Sequence, residues 1–195
     1  MSTVEETNSP SSTISSDYQS PIKTKTKKNQ IDVNISNFNP DIVFVKTLLL
    51  ILEKNKKSKD YFTKINLNKD GHLTFKMKPG ISLLDYLRRI LKFIKIEYST
   101  LIIAMIYIDR ICKEKVFLNE FNIHRIMLIS IYMAYTYNED CIYDNKYLAL
   151  VSGLSKSEMV SLEEDFLNLI EFKLFVRDEI FEEYKKYFFR DLLTI

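Results

Sequence analysis

A chain of 195 residues, 46% of them hydrophobic, is long enough for one domain with a substantial core and a tail. Only three residues are Gly and four are Pro, which favours long helices over a turn-rich β-sandwich. The 28 basic and 26 acidic residues nearly balance, and only six of the basic ones are Arg, so the composition does not indicate a nucleic-acid-binding protein.

Residues 1–36 are rich in Ser, Thr, Asn and Lys and carry no cluster of apolar residues, which predicts a disordered tail. The first residues do not resemble a secretion signal. No uncharged run approaches the roughly 18 residues of a membrane helix. Cys112 and Cys141 do not form a disulfide framework, which favours a reducing compartment. We therefore expect a soluble intracellular protein, in the nucleus and/or the cytoplasm.

The first predicted helix begins at the segment NFNPDIVFVKTLLLILEK. Asn39 is placed to cap it, Pro40 suits its first position, and apolar residues run from Ile42 to Leu52. The lysine-rich stretch that follows ends the helix, and we expect residues 60–80 to form a loop.

The next three predicted helices begin at Ser82, at Ser99 or Thr100, and at Asn122. The first of these has a wide apolar stripe at the 3.6-residue period. The other two are apolar on nearly every side, a pattern typical of helices that are surrounded by other helices.

Three further helices are predicted in the last third of the chain. A short one runs from Asp144 or Asn145 to Ser152 and ends at Gly153. Ser155 and Glu158 form a capping-box pattern for the next, which we expect to reach about residue 174. A last amphipathic helix follows. The sequence thus predicts an all-α domain over residues 37–185, with a C-terminal tail over 186–195.

Two patterns resemble metal sites but lack required ligands. Residues 66–77 match a calcium loop in part, yet Met77 stands where the loop needs a bidentate Glu. A zinc site would have to combine His72, His124, Cys112 and Cys141, which lack zinc-ligand spacing. We found no phosphate-binding loop and no nucleophile motif. We therefore expect no metal, no cofactor and no enzymatic activity.

Four segments in order resemble a cyclin box: ISLLDYLRRILKF, AMIYIDRI, FNIHRIMLISIYMAY and YLALVSGLSKSEMVSLEEDFLNLIEFKLFV. The similarity extends over residues 38–185 and is greatest to the single-box P-type and U-type cyclins. It implies a single cyclin box of five helices, flanked by an N-terminal and a C-terminal helix. It also implies a non-catalytic regulatory subunit that binds and activates a cyclin-dependent protein kinase, without nucleic-acid, membrane or small-molecule partners.

The resemblance suggests a role for the polar pair that ends the apolar segment LIIAMIYIDR. In cyclin boxes the Asp of this motif, here Asp109, pairs with an Arg of the first box helix. Arg89 matches that Arg, and the adjacent Arg88 remains possible. A charge on so apolar a helix is tolerated when it is paired. Alternatively, Asp109 lies at the exposed end of its helix.

The resemblance also implies a kinase-binding surface on the third and fifth box helices. Its conserved Glu corresponds to Glu163, and Thr136 occupies the position where the family has Lys. Val160, Glu163, Leu167, Glu171 and Leu174 form a second stripe beside the core stripe of the same helix. The predicted surface, called the ridge below, consists of Met133, Thr136, Tyr137, Val160, Glu163, Leu167 and Leu174.

Ser9 and Ser20 each precede a Pro and resemble proline-directed phosphorylation sites in the predicted tail. Two alternative functions are also compatible with the sequence. One is a cyclin-fold scaffold that binds partners without activating a kinase, which the Thr at position 136 suggests. The other is a transcription-associated interaction protein, although the nearly neutral charge disfavours it.

Overall fold

A computed structural model describes residues 39–67, 71–140 and 143–190. This part of the chain is all-α, with eight helices and no strand. They are α1 (Pro40–Lys56), α2 (Tyr61–Leu67), α3 (Leu83–Phe93), α4 (Tyr98–Glu114), α5 (Ile123–Asn138), α6 (Asn145–Ser152), α7 (Lys156–Ile170) and α8 (Asp178–Arg190).

The two most apolar helices, α4 and α5, pack against each other at the centre of the fold. Glu139, just after α5, accepts hydrogen bonds from the Glu97 amide (3.3 Å) and the Thr100 hydroxyl (2.6 Å) at the start of α4, so the two helices are antiparallel. α1, α7 and α8 pack on α4, while α3 and α7 pack on α5. The prediction that these two helices are surrounded by others is confirmed.

Local sequence signals set the start of α3, the end of α6 and the start of α7, whereas the predicted caps Asn39 and Asn122 make no side-chain hydrogen bond to their helices. The Ser82 hydroxyl accepts a hydrogen bond from the Asp85 amide (3.1 Å) at the start of α3. Ser155 and Glu158 form the predicted capping box of α7. Gly153 ends α6 in the left-handed conformation, with φ of 75°.

Four boundaries differ from the prediction. α4 begins at Tyr98, with Glu97 as its N-cap, rather than at Ser99 or Thr100. The expected loop at 60–80 contains α2, because Tyr61 packs edge-on against Phe117 and donates a hydrogen bond to Glu120. α7 ends at Ile170 rather than near residue 174, since Glu171 and Phe172 are left-handed (φ 55° and 56°). α8 continues past the predicted domain end at 185, and its buried Phe188 packs near Phe44.

The predicted ion pair between Arg89 and Asp109 is not formed, although the structure describes both residues. Asp109 instead pairs with Lys113 (2.9 Å) and accepts a hydrogen bond from the Tyr184 hydroxyl of α8. Arg89 lies beside Gly153 at the C-terminal end of α6, where the helix dipole favours a cation. The buried acid with an Arg partner is Asp41 of α1, which pairs with Arg88 (3.1 Å).

Some predictions fall outside the described residues: the tail at 1–36 with Ser9 and Ser20, Cys141, and positions 68–70 of the calcium-like loop. Within the described ranges, no group of three His, Cys, Asp or Glu side chains is arranged to hold a metal ion. No described helix is both long enough and apolar enough to cross a membrane.

The Asp41–Arg88 pair should contribute measurably to stability. Arg88→Met leaves the Asp41 carboxylate buried without a counter-ion, and we expect a loss of about 1–3 kcal/mol in the free energy of unfolding. Adding Asp41→Ala removes that unpaired charge, so the double variant should lose less free energy of unfolding than the sum of the two single losses. Urea denaturation of the four proteins gives the coupling. As a control, the losses in free energy of unfolding caused by Arg89→Met and Asp109→Asn should be additive. Coupling between Arg89 and Asp109, and none between Arg88 and Asp41, would contradict the assignment of the ion pair to Asp41 and Arg88.

His124 should make the fold sensitive to acid. The residue is 7% exposed, its Nε2 donates to the Ile81 carbonyl (3.0 Å), and its Nδ1 is buried without a partner. Burial lowers the pKa of His124 below its ordinary 6.5, so the unfolded chain takes up the proton first. Stability should therefore be fully present above about pH 6.5 and fall as the pH drops through the lowered pKa.

The measurement is the melting temperature between pH 7.5 and 5 for the wild type and His124→Gln, which keeps a donor near Ile81 but does not titrate. We expect the variant to have a flatter profile in this range. The control is His72→Gln, at an exposed histidine that contacts Asp165. If removing His72 flattens the profile and removing His124 does not, the assignment to His124 fails.

Candidate functional site

The two helices that carry the ridge lie side by side and run in the same direction. Near their starts, Arg125 of α5 pairs with Glu158 of α7 (3.2 Å). Farther along, the Tyr132 hydroxyl of α5 lies 3.5 Å from Glu163 of α7. The structure thus brings the α5 and α7 parts of the predicted ridge together.

The ridge residues differ in exposure. Tyr137 is 52% exposed and Val160 49%, while Thr136, Glu163, Leu167 and Leu174 are half-buried. Met133 is only 4% exposed and belongs to the core, so its inclusion in the surface is corrected. The error has a physical reason: α5 is buried on nearly every side, so helical spacing alone does not identify which of its residues face outward.

Glu163 is the one charged residue of the ridge, with Val160 and Leu167 before and after it on the same helix face. Its polar contact within the described residues is the weak one to the Tyr132 hydroxyl. Burial, and then the nearby Glu163 carboxylate, raise the pKa of Tyr132 to about 12, which keeps this hydroxyl protonated as a donor. Glu163 thus retains acceptor capacity for a group from outside the domain.

Thr136 stands where the resemblance leads us to expect a Lys, and its side chain does not supply the cation of that Lys. Its hydroxyl donates to the Tyr132 carbonyl of its own helix (3.0 Å) and lies 3.4 Å from the Met133 carbonyl. A side chain already bonded within its helix, short and uncharged, offers a partner little beyond its methyl group. The ridge is therefore apolar with a single negative charge.

Side chains of α4 fix the end of the ridge that carries Leu174. The Tyr107 hydroxyl donates to the Leu174 carbonyl (2.8 Å), and Arg110 donates to the carbonyls of Lys173 (2.6 Å) and Phe175 (3.0 Å). Burial raises the pKa of Tyr107 to about 12, so it stays a donor. These bonds fix the backbone around Leu174, the one ridge residue that lies beyond the end of α7.

Sequence reasoning missed Phe172, which lies between the end of α7 and Leu174. It is 69% exposed and left-handed, a conformation that costs a non-glycine residue roughly 1–2 kcal/mol. Such a strained, exposed aromatic next to an apolar surface is a candidate contact residue. The predicted helix placed Phe172 off both stripes, and neither Gly nor Pro marked the true helix end.

The chain matches known proteins over most of its length. A family model described as Cyclin matches residues 1–174. Cyclin-U4-3 of Arabidopsis thaliana is 39% identical over 129 residues, which cover 65% of this chain and 59% of the relative. Cyclin-U4-1 of the same plant is 31% identical over 163 residues, covering 80% of this chain and 81% of the relative. Cyclin-P4-1 of Oryza sativa subsp. japonica is 39% identical over 109 residues, covering 55% of this chain and 51% of the relative.

The aligned part is thus about half to three fifths of Cyclin-U4-3 and of Cyclin-P4-1, and about four fifths of Cyclin-U4-1. The match to the family model contains α1 to α7 and the ridge.

Proposed function

The chain belongs to the cyclin family, among its P-type and U-type members, and we propose from this that it binds and activates a cyclin-dependent serine/threonine protein kinase through the ridge. Members of the family are non-catalytic regulatory subunits. The observation that carries the proposal is Glu163, a carboxylate among partly exposed apolar residues, on a helix whose other face already fills the core. We further propose that it acts in the nucleus and/or the cytoplasm.

Activation would follow from where the ridge packs. An apolar surface pressed against the regulatory helix of a kinase moves that helix inward, which completes the Lys–Glu pair of the kinase and orders its activation loop. Glu163 would accept hydrogen bonds from main-chain amides of the kinase at the centre of this contact. Tyr137, Val160, Leu167, Phe172 and Leu174 would supply the apolar area around it.

One observation supports a second candidate, a scaffold that binds a partner without activating a kinase. The family Lys is replaced by Thr136, whose hydroxyl is bonded within α5. A surface without that cation loses one charge-assisted hydrogen bond to the kinase. Binding and activation therefore have to be measured separately.

Affinity purification from a native lysate, identification of the kinases that co-purify, and an activity assay on the isolated pair test the proposal. We expect a cyclin-dependent kinase that is active with the chain and inactive alone. A kinase that binds but stays inactive would favour the scaffold. Recovery of no such kinase with folded wild-type chain would contradict both its binding and its activation.

Substitutions on the ridge test the surface itself. Glu163→Lys and Leu167→Asp should each reduce kinase binding by about tenfold or more, because one places a cation against donors and the other buries a carboxylate in an apolar contact. The matched control is Glu164→Lys, the same charge change on the next, exposed residue of α7, which should bind like the wild type. Pull-down yields are normalised to folded chain by circular dichroism. Wild-type binding by both ridge variants would exclude this surface.

Thr136→Lys tests the departure from the family pattern. We expect it to keep or strengthen binding to a generic cyclin-dependent kinase, since it restores a charge-assisted donor. Thr136→Val is the control and should change little, because the hydroxyl it removes is already bonded within the helix. Weaker binding of the native kinase by Thr136→Lys alone would indicate a partner specialised for the neutral residue, in which an added Lys is left unmatched.

A further inference from the structure

The outer face of α1 is apolar and uncovered by the described part of the domain. Ile42, Leu49 and Leu50 are 42%, 43% and 59% exposed, while Phe44 and Leu48 on the opposite face are fully buried. The exposed residues, together with the half-buried Leu84 of α3, line a shallow groove of about 310 Å³. A helix that already fills the core with one face and shows leucines on the other is suited to a second packing partner.

Two charged residues flank this apolar stripe. Lys46 and Glu53 line the same groove. Lys46 makes no ion pair within the described ranges, and Glu53 has one ion pair there, with the exposed Lys56 at 3.1 Å. Lys46 lies three residues before Leu49 and Glu53 lies three residues after Leu50, so the charges are placed symmetrically about the two leucines.

We propose that α1 packs antiparallel against α1 of a second copy of this chain, about a two-fold axis between Leu49 and Leu50. In this register Leu49 of each copy meets Leu50 of the other, and Lys46 of each meets Glu53 of the other. A two-fold interface requires a patch that is complementary to itself, and this stripe is self-complementary in both shape and charge. An unrelated partner would not require this symmetry.

The apolar patch on α1 is small for a dimer interface. One helix face with three partly exposed apolar residues falls short of the roughly 800 Å² per partner of a standard interface. We therefore expect a weak dimer, with a dissociation constant on the order of tens to hundreds of micromolar. The inference does not depend on the proposed function, because α1 packs on α3, α4 and α8 and carries no ridge residue.

Sedimentation equilibrium of the full chain, from about 10 μM to 1 mM at low salt, measures the self-association. Lys46→Glu and Glu53→Lys should each weaken it by about tenfold, because each places like charges opposite each other at both ends of the contact. An equimolar mixture of the two variants should restore association as a heterodimer, since positions 46 and 53 of opposite chains again carry opposite charges. The matched control, Lys54→Glu on the same helix but outside the groove, should self-associate like the wild type.

Each outcome decides the proposal. A wild-type chain that stays monomeric up to 1 mM overturns it, including the case in which another segment of the chain covers α1. Self-association unchanged by both charge reversals places the contact elsewhere. Two weakened variants whose mixture fails to restore association exclude the antiparallel register. Circular dichroism of every variant excludes unfolding as the cause of a loss.

Discussion

The enclosure of α4 is the constraint on which the rest of the structure depends. α1, α5, α7 and α8 all pack on it, and its residues from Leu101 to Ile108 are buried but for the half-buried Ile103. A helix that is apolar on every side is unstable until its neighbours surround it, so packing rather than intrinsic helix propensity holds it. Polar residues in the second half of α4 contact the segments that follow α7. Tyr107 and Arg110 bind the segment 173–175, and Asp109 binds Tyr184 of α8. The position of the ridge is therefore a consequence of how α4 is buried.

Features that depend on a few neighbouring residues could be predicted from the sequence. The Ser82 cap, the capping box at Ser155 and the stop at Gly153 are each set within four residues, and all three are confirmed. The partner of Asp109 could not be predicted, because it depends on which side chains meet across packed helices. Tyr184, its partner on α8, is 75 residues away in the chain. The end of α7 was missed for a similar reason: its left-handed residues, Glu171 and Phe172, directly precede the segment 173–175 that side chains of α4 bind, and no local Gly marks the change.

The same distinction applies to the ridge. On α7 the second stripe could be recognised because the helix has a separate core stripe, and the structure leaves Val160, Glu163 and Leu167 at least partly exposed. On α5 almost every position is apolar, so spacing could not separate the buried Met133 from the exposed Tyr137. Burial of one face implies exposure of another only for a helix at the surface of the fold.

Two surfaces are left uncovered by the residues that the structure describes, and their charge patterns imply different kinds of partner. The ridge carries a single acid, Glu163, so two ridges placed together would bring like charges into an apolar contact with no donor from Thr136 to relieve them. A surface of this kind disfavours packing against the same surface of a second copy. It suits a different protein that supplies main-chain or cationic donors. The α1 stripe has the opposite property, because Lys46 and Glu53 satisfy each other across a two-fold axis. Since the two surfaces lie on different helices, one chain could use both at once, and a dimer through α1 would present two ridges to two separate partners.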